Sequence, residues 1–170
     1  LLHLRQQKIT SLVLSLLKNN LSRINRNSWI YSHQTYSRYP FQANTYGLPA
    51  AVIKECVLGF IEARLKDSPR KKDEPDFYSW VIKHFGAGIG RKFMFGYNDK
   101  LWTVPVKKLS ADWIGGYVPD PSLEEVITGA LLDQTGRVGY NASFWYPKHH
   151  GIQALPQALA GTLKNINLQE

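Results

Sequence analysis

The sequence has a single cysteine, Cys56, in 170 residues. No internal disulfide can form, and one thiol with five scattered histidines offers too few soft ligands for a structural zinc site. A reducing compartment follows, and a cytoplasmic location is expected. Long hydrophobic runs are lacking as well. The longest, such as Leu12 to Leu17, fall far short of the roughly 20 residues a membrane-spanning helix needs, so no membrane span is expected. The chain begins at Leu1 rather than Met, and its early apolar stretch runs into Lys18-Asn19-Asn20 without a small-residue cleavage site. It reads as an excerpt of a longer protein, without a signal peptide. No Ser/His/Asp, Cys/His or paired-carboxylate pattern stands out either, so a self-sufficient catalytic machinery is excluded, and any chemistry must be borrowed.

Acidic side chains are missing from the first 54 residues. Arg5, Lys8, Lys18, Arg23, Arg26, Arg38 and Lys54 face no acid there, whereas residues 55–170 carry 14 basic against 13 acidic side chains. The net charge of +8 is thus the property of one segment. Such a segment suits nucleic acid, an anionic lipid surface, a nucleotide ligand or an acidic domain, or is simply a solvated face. The run from Arg64 to Lys72 resembles a nucleic-acid patch, but Asp73, Glu74 and Asp76 nearly cancel it, which makes it a charged, exposed loop.

What the chain does have is apolar content, 44%, with 12% aromatics, enough to bury the core of one domain and to exclude a disordered tail or a fibrous repeat. Ile9, Leu12, Val13, Leu16 and Leu17 share one stripe of a helix starting near Lys8. Trp29-Ile30-Tyr31 and Tyr36–Phe41 predict a hairpin across Ser32–Thr35, its second strand ended by Pro40. Pro49 opens a helix reaching about Lys66, and another is expected from about Asp76 to Met94, bent or broken at Gly86, Gly88 and Gly90. A helical turn at Ser110–Trp113 is stopped by Gly115-Gly116 and Pro119. Ser122 and Glu125 form a capping-box pattern that starts a helix over 122–132. Val138–Tyr146 reads as a strand or extended loop, and Leu155, Ala158, Leu159 and Leu163 as a last amphipathic helix. No internal repeat and no long linker divides the chain. The expectation is an α+β architecture, one mainly helical segment over 1–170 with a few strands too short to make a sheet alone.

Three motifs lose against their plainer readings. Gly86-Ala87-Gly88-Ile89-Gly90-Arg91 approaches a dinucleotide fingerprint, yet Arg91 stands where the third Gly belongs and what precedes is helical, so a bent helix is expected. His149-His150 has no carboxylate constellation and reads as surface histidines. Asn141-Ala142-Ser143 is formally a glycosylation acceptor, which the lone cysteine's reducing compartment disfavours. More telling are three clusters that set an aromatic face beside an amide: Tyr39-Pro40-Phe41-Gln42, then Phe93-Met94 with Tyr97-Asn98 and Trp102, then Tyr140–Phe144. Stacking plus a fixed amide suits a heterocyclic base or a sugar ring; the plainer alternative is core aromatics with capped turns.

At these same residues the chain resembles the UDP-galactopyranose mutases. Trp29-Ile30, Tyr39-Pro40-Phe41-Gln42, Phe85-Gly86, Gly88-Ile89, Phe93-Met94, Tyr97-Asn98, Lys100, Trp102, Val104-Pro105, Ser110, Trp113 and Tyr140-Asn141-Ala142-Ser143-Phe144 fall in that family's order and near-spacing over about 25–165. The family belongs to a wider FAD-dependent group that includes amine oxidases and protoporphyrinogen oxidases. The resemblance implies that this is the middle, substrate-side part of a flavoenzyme whose FAD is held mainly by segments outside this chain. It also implies a small-molecule substrate, a nucleotide sugar in the mutases, and no nucleic acid. Tyr39, Phe41 and Gln42 would line the uracil pocket, with Phe93, Met94, Asn98 and Trp102 around the uridine and Asn141 on a loop near the flavin and sugar. In the mutases the reduced flavin attacks the sugar, so no side-chain nucleophile is needed. One departure stands out: fifteen residues after Trp102, where the family has an Arg that clamps the diphosphate, this chain has Tyr117. A phenol lacks the charge and fork of a guanidinium, so the resemblance points to an FAD-dependent oxidoreductase with a different substrate, with a sugar-nucleotide mutase as its alternative. A free-standing basic nucleic-acid-binding module is the competing class.

Overall fold

A computed structural model describes residues 2–4, 6–66, 74–115, 117–134 and 143–163. Six α-helices are present among them, α1 (Gln7–Leu17), α2 (Ala50–Leu65), α3 (Phe77–Ile89), α4 (Phe95–Trp102), α5 (Leu123–Leu131) and α6 (Ala154–Ala160). The strands are β1 (Leu21–Asn25), β2 (Trp29–Ser32), β3 (Thr35–Arg38) and β4 (Ser143–Pro147). They form two separate two-stranded antiparallel sheets, β1 with β4 and β2 with β3. The architecture is α+β and mainly helical.

Although no linker is visible in the sequence, the chain groups into two compact units, one of them built from both ends. In this smaller unit β1 and β4 pair from Leu21↔Pro147 to Asn25↔Ser143, and Leu2 adds backbone bonds of 3.0 and 2.9 Å to Trp145. Val13 and Leu17 of α1 close a small core with Leu21 and Ala154. The pairing spans more than a hundred residues of sequence, which is why no local pattern announces it.

The larger unit, 27–134, holds the main core. Phe41, Val52, Cys56, Phe60, Phe77, Val81, Phe85 and Ile89 are buried together. The close fit of α2 on α3 depends on glycine. A Cβ on Gly88 would lie 2.1 Å from the Glu55 carbonyl oxygen, and one on Gly86 would lie 2.0 Å from that of Gly59. Gly86 also has φ +76°, a left-handed conformation that glycine adopts without steric cost, and it kinks α3 there. The glycine run is therefore the bent helix expected of it. Its N-terminus is capped by Asp76, whose Oδ1 accepts from the Ser79 amide at 2.7 Å. The expected end at Met94 is corrected: a π-helical turn over Gly90–Met94 leads directly into α4, which runs to Trp102. Within α4 the Asn98 Nδ2 donates to the Met94 carbonyl one turn back at 2.8 Å. Ser122 and Glu125 form the capping box of α5, with reciprocal bonds of 3.1 and 2.7 Å.

Candidate functional site

The π-turn sets up the site. It leads into α4, on which the four-residue spacing puts Phe93, Tyr97 and Leu101 in one row and Met94, Asn98 and Trp102 in a second. Both rows line a cavity of about 440 Å³ within the larger unit. Tyr39 and Gln42 close it from the segment after β3, and Trp113, Tyr117, Val118 and Pro119 from the stretch before α5. Most of this surface is aromatic or aliphatic, and no residue among the lining carries a full charge. The volume is that of a small-molecule site.

Two amides are fixed in this apolar wall. Gln42 and Asn98 are each at least 95% buried. The Gln42 Nε2 donates to the Pro119 carbonyl at 2.8 Å, as the Asn98 Nδ2 does to that of Met94. Because both partners are carbonyl oxygens, only the amide nitrogen can face them, which settles the orientation of each side chain. The side-chain oxygens Oε1 and Oδ1 are left to act as acceptors.

The rings are arranged in depth. Phe41 is wholly buried and stacks on Phe93 with centroids 4.8 Å apart and planes 10° apart; Phe93 in turn stacks on Tyr97 at 4.9 Å. Trp102 leans on Trp113 at 5.3 Å, and Trp113 lies against Phe77 at 5.6 Å. Tyr97, Trp102 and Tyr117 are the more exposed rings.

Of the residues expected from the sequence, Tyr39, Gln42, Phe93, Met94, Asn98, Trp102 and Tyr117 all line the cavity. Phe41 does not: it stands one layer behind, as the support of Phe93. Asn141 lies outside the described residues. Leu101, Trp113, Val118 and Pro119 also line the cavity but were not read as candidates, and Tyr97 was read only as part of its aromatic and amide cluster. The i, i+4, i+8 spacing of 93-97-101 was the available signal for Leu101.

The Cys56 thiol sits in the core, and burial, then the neighbouring Glu55 charge, pushes it up to about 12, far from a reactive thiolate. Among the described residues no group of three or more His, Cys, Asp or Glu side chains could hold a metal ion. His149 and His150 are exposed, on a turn anchored by Asn20 Oδ1, which accepts from the His149 amide at 2.9 Å. Nor do the described residues fit a dinucleotide pyrophosphate. Gly86, Gly88 and Gly90 are buried, with α2 and Phe95 where a phosphate would have to approach.

No protein-family model matches the chain. Among solved structures it is similar to the crystal structure of reduced UDP-galactopyranose mutase, with a TM-score of 0.78 and 27% identity. The match covers 89% of this chain and 32% of the other, so this chain spans about a third of that protein's length. The resemblance carried by the aromatic and amide motifs is thus matched by a shared fold over nearly all of the chain.

Proposed function

We propose that this chain is the substrate-side segment of an FAD-dependent oxidoreductase resembling UDP-galactopyranose mutase and protoporphyrinogen oxidase-like proteins. Its cavity seats the flat ring end of a small-molecule substrate. The observation that carries this reading is the pair of buried amides set in an uncharged aromatic wall. Rings bind to Tyr97, Trp102 and Tyr39 by stacking, worth about 1–3 kcal/mol per heterocycle, while Phe93, stacked with Phe41 and Tyr97, holds Tyr97 in place. Gln42 Oε1 and Asn98 Oδ1 then favour a ring that brings N–H donors, such as a lactam, each such bond adding about 0.5–1.5 kcal/mol. The remainder of the flavoenzyme holds the FAD, and this segment contributes binding, orientation and exclusion of water.

The test is titration of the full flavoprotein with uridine and with N3-methyluridine, followed by quenching of tryptophan fluorescence. Binding of uridine that N-methylation weakens at least tenfold is expected. A ring-blind result, with neither nucleoside binding in the millimolar range, removes the reading. The mutase alternative is favoured by the solved structure that the chain matches. It differs in requiring tight binding of the diphosphate as well as of the ring.

A further inference from the structure

Tyr39 and Gln42 reach the cavity from a stretch with little secondary structure of its own, a single 3₁₀ turn over Phe41–Ala43. Asn44 folds this stretch on itself: its backbone amide donates to the Phe41 carbonyl and its Nδ2 to the Pro40 carbonyl, both at 3.0 Å. The far end is tied to α5. The amides of Thr45 and Tyr46 both donate to the Gly129 carbonyl, at 2.9 and 2.8 Å. Gly129 lies in the last turn of α5, where carbonyls have no partner inside the helix, so it holds the stretch without breaking a helical bond.

The residue type at 129 follows from the same contact. Alanine favours a helix over glycine, but a Cβ at this buried position would run into the Ala43 carbonyl oxygen. Gln134 adds a strap, its Nε2 donating to the Glu125 carbonyl at 2.8 Å and more loosely to that of Ala43 at 3.4 Å. The group opposite Gly129 belongs to a 3₁₀ turn rather than to a packed α-helix, so a methyl group there is relieved by moving the turn. The residue next to Ala43 is Gln42, whose Nε2 must stay on the Pro119 carbonyl for its Oε1 to face a ring. Tyr97 and Trp102, which supply stacking, stand on α4, a different element.

We infer that Gly129 is a positioning residue of the cavity: its bare Cα admits the Ala43 carbonyl, its own carbonyl holds Thr45 and Tyr46, and together these contacts set the Gln42 amide against the bound ring. The inference rests on the reading of the cavity as a ring site in which Gln42 bonds the ligand. It assigns the aim of that amide to a residue of α5 that does not line the cavity.

The experiment is a double-mutant cycle on the full flavoprotein, titrated with uridine and followed by tryptophan fluorescence. Gly129→Ala and Gln42→Leu should each weaken uridine about tenfold, the scale of one hydrogen bond. The double variant should be no weaker than the worse single one, because both changes remove the same bond; a residue that merely stabilised the fold would add its effect. Circular dichroism shows whether Gly129→Ala folds. If it does not, Gln134→Leu decides in its place: it removes the strap without adding bulk to α5, and about a threefold loss is expected from wild type with none on top of Gln42→Leu. Uridine binding unchanged by the deciding variant overturns the inference and leaves the ring site standing, as do additive losses, about a hundredfold for Gly129→Ala with Gln42→Leu. Gln42→Leu that binds like wild type overturns it as well, since Gln42 then bonds no ring. Wild-type protein that binds no uridine removes the reading of the cavity and this inference with it.

Discussion

Phe41 and Phe93 lie face to face, 4.8 Å between centroids, yet only Phe93 touches the cavity. The buried ring holds the cavity-lining one in position. The Tyr39–Gln42 segment therefore serves the site twice: Tyr39 and Gln42 directly, and Phe41 through its neighbour. Phe41→Leu should cost about 1–2 kcal/mol of stability, since it keeps most of the apolar volume. It should nonetheless weaken ring binding several-fold because Phe93 loses its backing. Paired denaturation and ligand titrations on the full protein separate the two effects; unchanged binding would show that Phe93 holds its place without the stack.

The helix contact makes a second, sharper prediction. Gly88→Ala places a methyl group 2.1 Å from the Glu55 carbonyl oxygen, backbone that cannot step aside. A loss of about 3 kcal/mol or more is expected. Gly96→Ala, in α4 with nothing within 4 Å of the new methyl, should instead stabilise by about 0.5–1 kcal/mol. Chemical denaturation of the two variants side by side checks the contrast, and equal effects would contradict the close approach of α2 and α3.

Cys56 gives the stability a pH dependence. Its thiol is raised in the folded protein from an ordinary value of 9.0 to about 12. Between those values the unfolded chain releases a proton that the folded one keeps, so this contribution is fully present below pH 9 and is lost as pH rises through that window. The slope from this one group is at most about 1.4 kcal/mol per pH unit. A Cys56→Ala variant should show a flatter decline of stability above pH 9. In the native wild type the thiol should resist a disulfide reagent at pH 8 and react on unfolding.

Local chemistry is legible in this sequence and long-range pairing is not. Ser122 with Glu125 announced α5, and the aromatic flanks of Ser32–Thr35 announced the β2–β3 hairpin, because caps and turns are written within a few residues. The site was legible to the extent that its amides and rings come in short clusters. The role of Phe41 was not, since burial behind Phe93 depends on how distant elements meet. The π-turn was hidden too: Gly86, Gly88 and Gly90 signal a break in the helix, not a turn that carries it on into α4. Of the smaller unit, α1, β4 and α6 were legible, but β1 and its pairing were not, because β1 and β4 stand at opposite ends of the chain.

The buried amides should each be worth a measurable share of ring affinity. Gln42→Leu and Asn98→Leu remove an acceptor, and each also leaves a backbone carbonyl, that of Pro119 or Met94, without its donor. Either variant should weaken uridine by about 1–3 kcal/mol, and the one that removes the acceptor of the single ring N–H should also erase the difference between uridine and its N3-methyl analogue. Uniform weakening of both nucleosides would mean that the amides hold the wall rather than read the ring.

Tyr117 decides what can sit beyond the ring. It lines the cavity more than half exposed, and none of the other lining residues carries a full charge. An oxidoreductase acting on an uncharged substrate needs nothing more there, whereas a nucleoside diphosphate needs a cation for its phosphates. Tyr117→Arg in the full protein should therefore tighten UDP by about 1.5–3 kcal/mol, the scale of a charge-assisted bond replacing a neutral one, and leave uridine within about 0.5 kcal/mol. Calorimetric titration with the two ligands measures both numbers in one preparation. Wild-type protein that already binds UDP at micromolar concentration, with no gain on substitution, would place the clamp elsewhere in the flavoenzyme and restore the mutase reading. If UDP binds neither form while the flavin still turns over with an electron donor, the substrate is an uncharged ring compound, as the cavity wall implies.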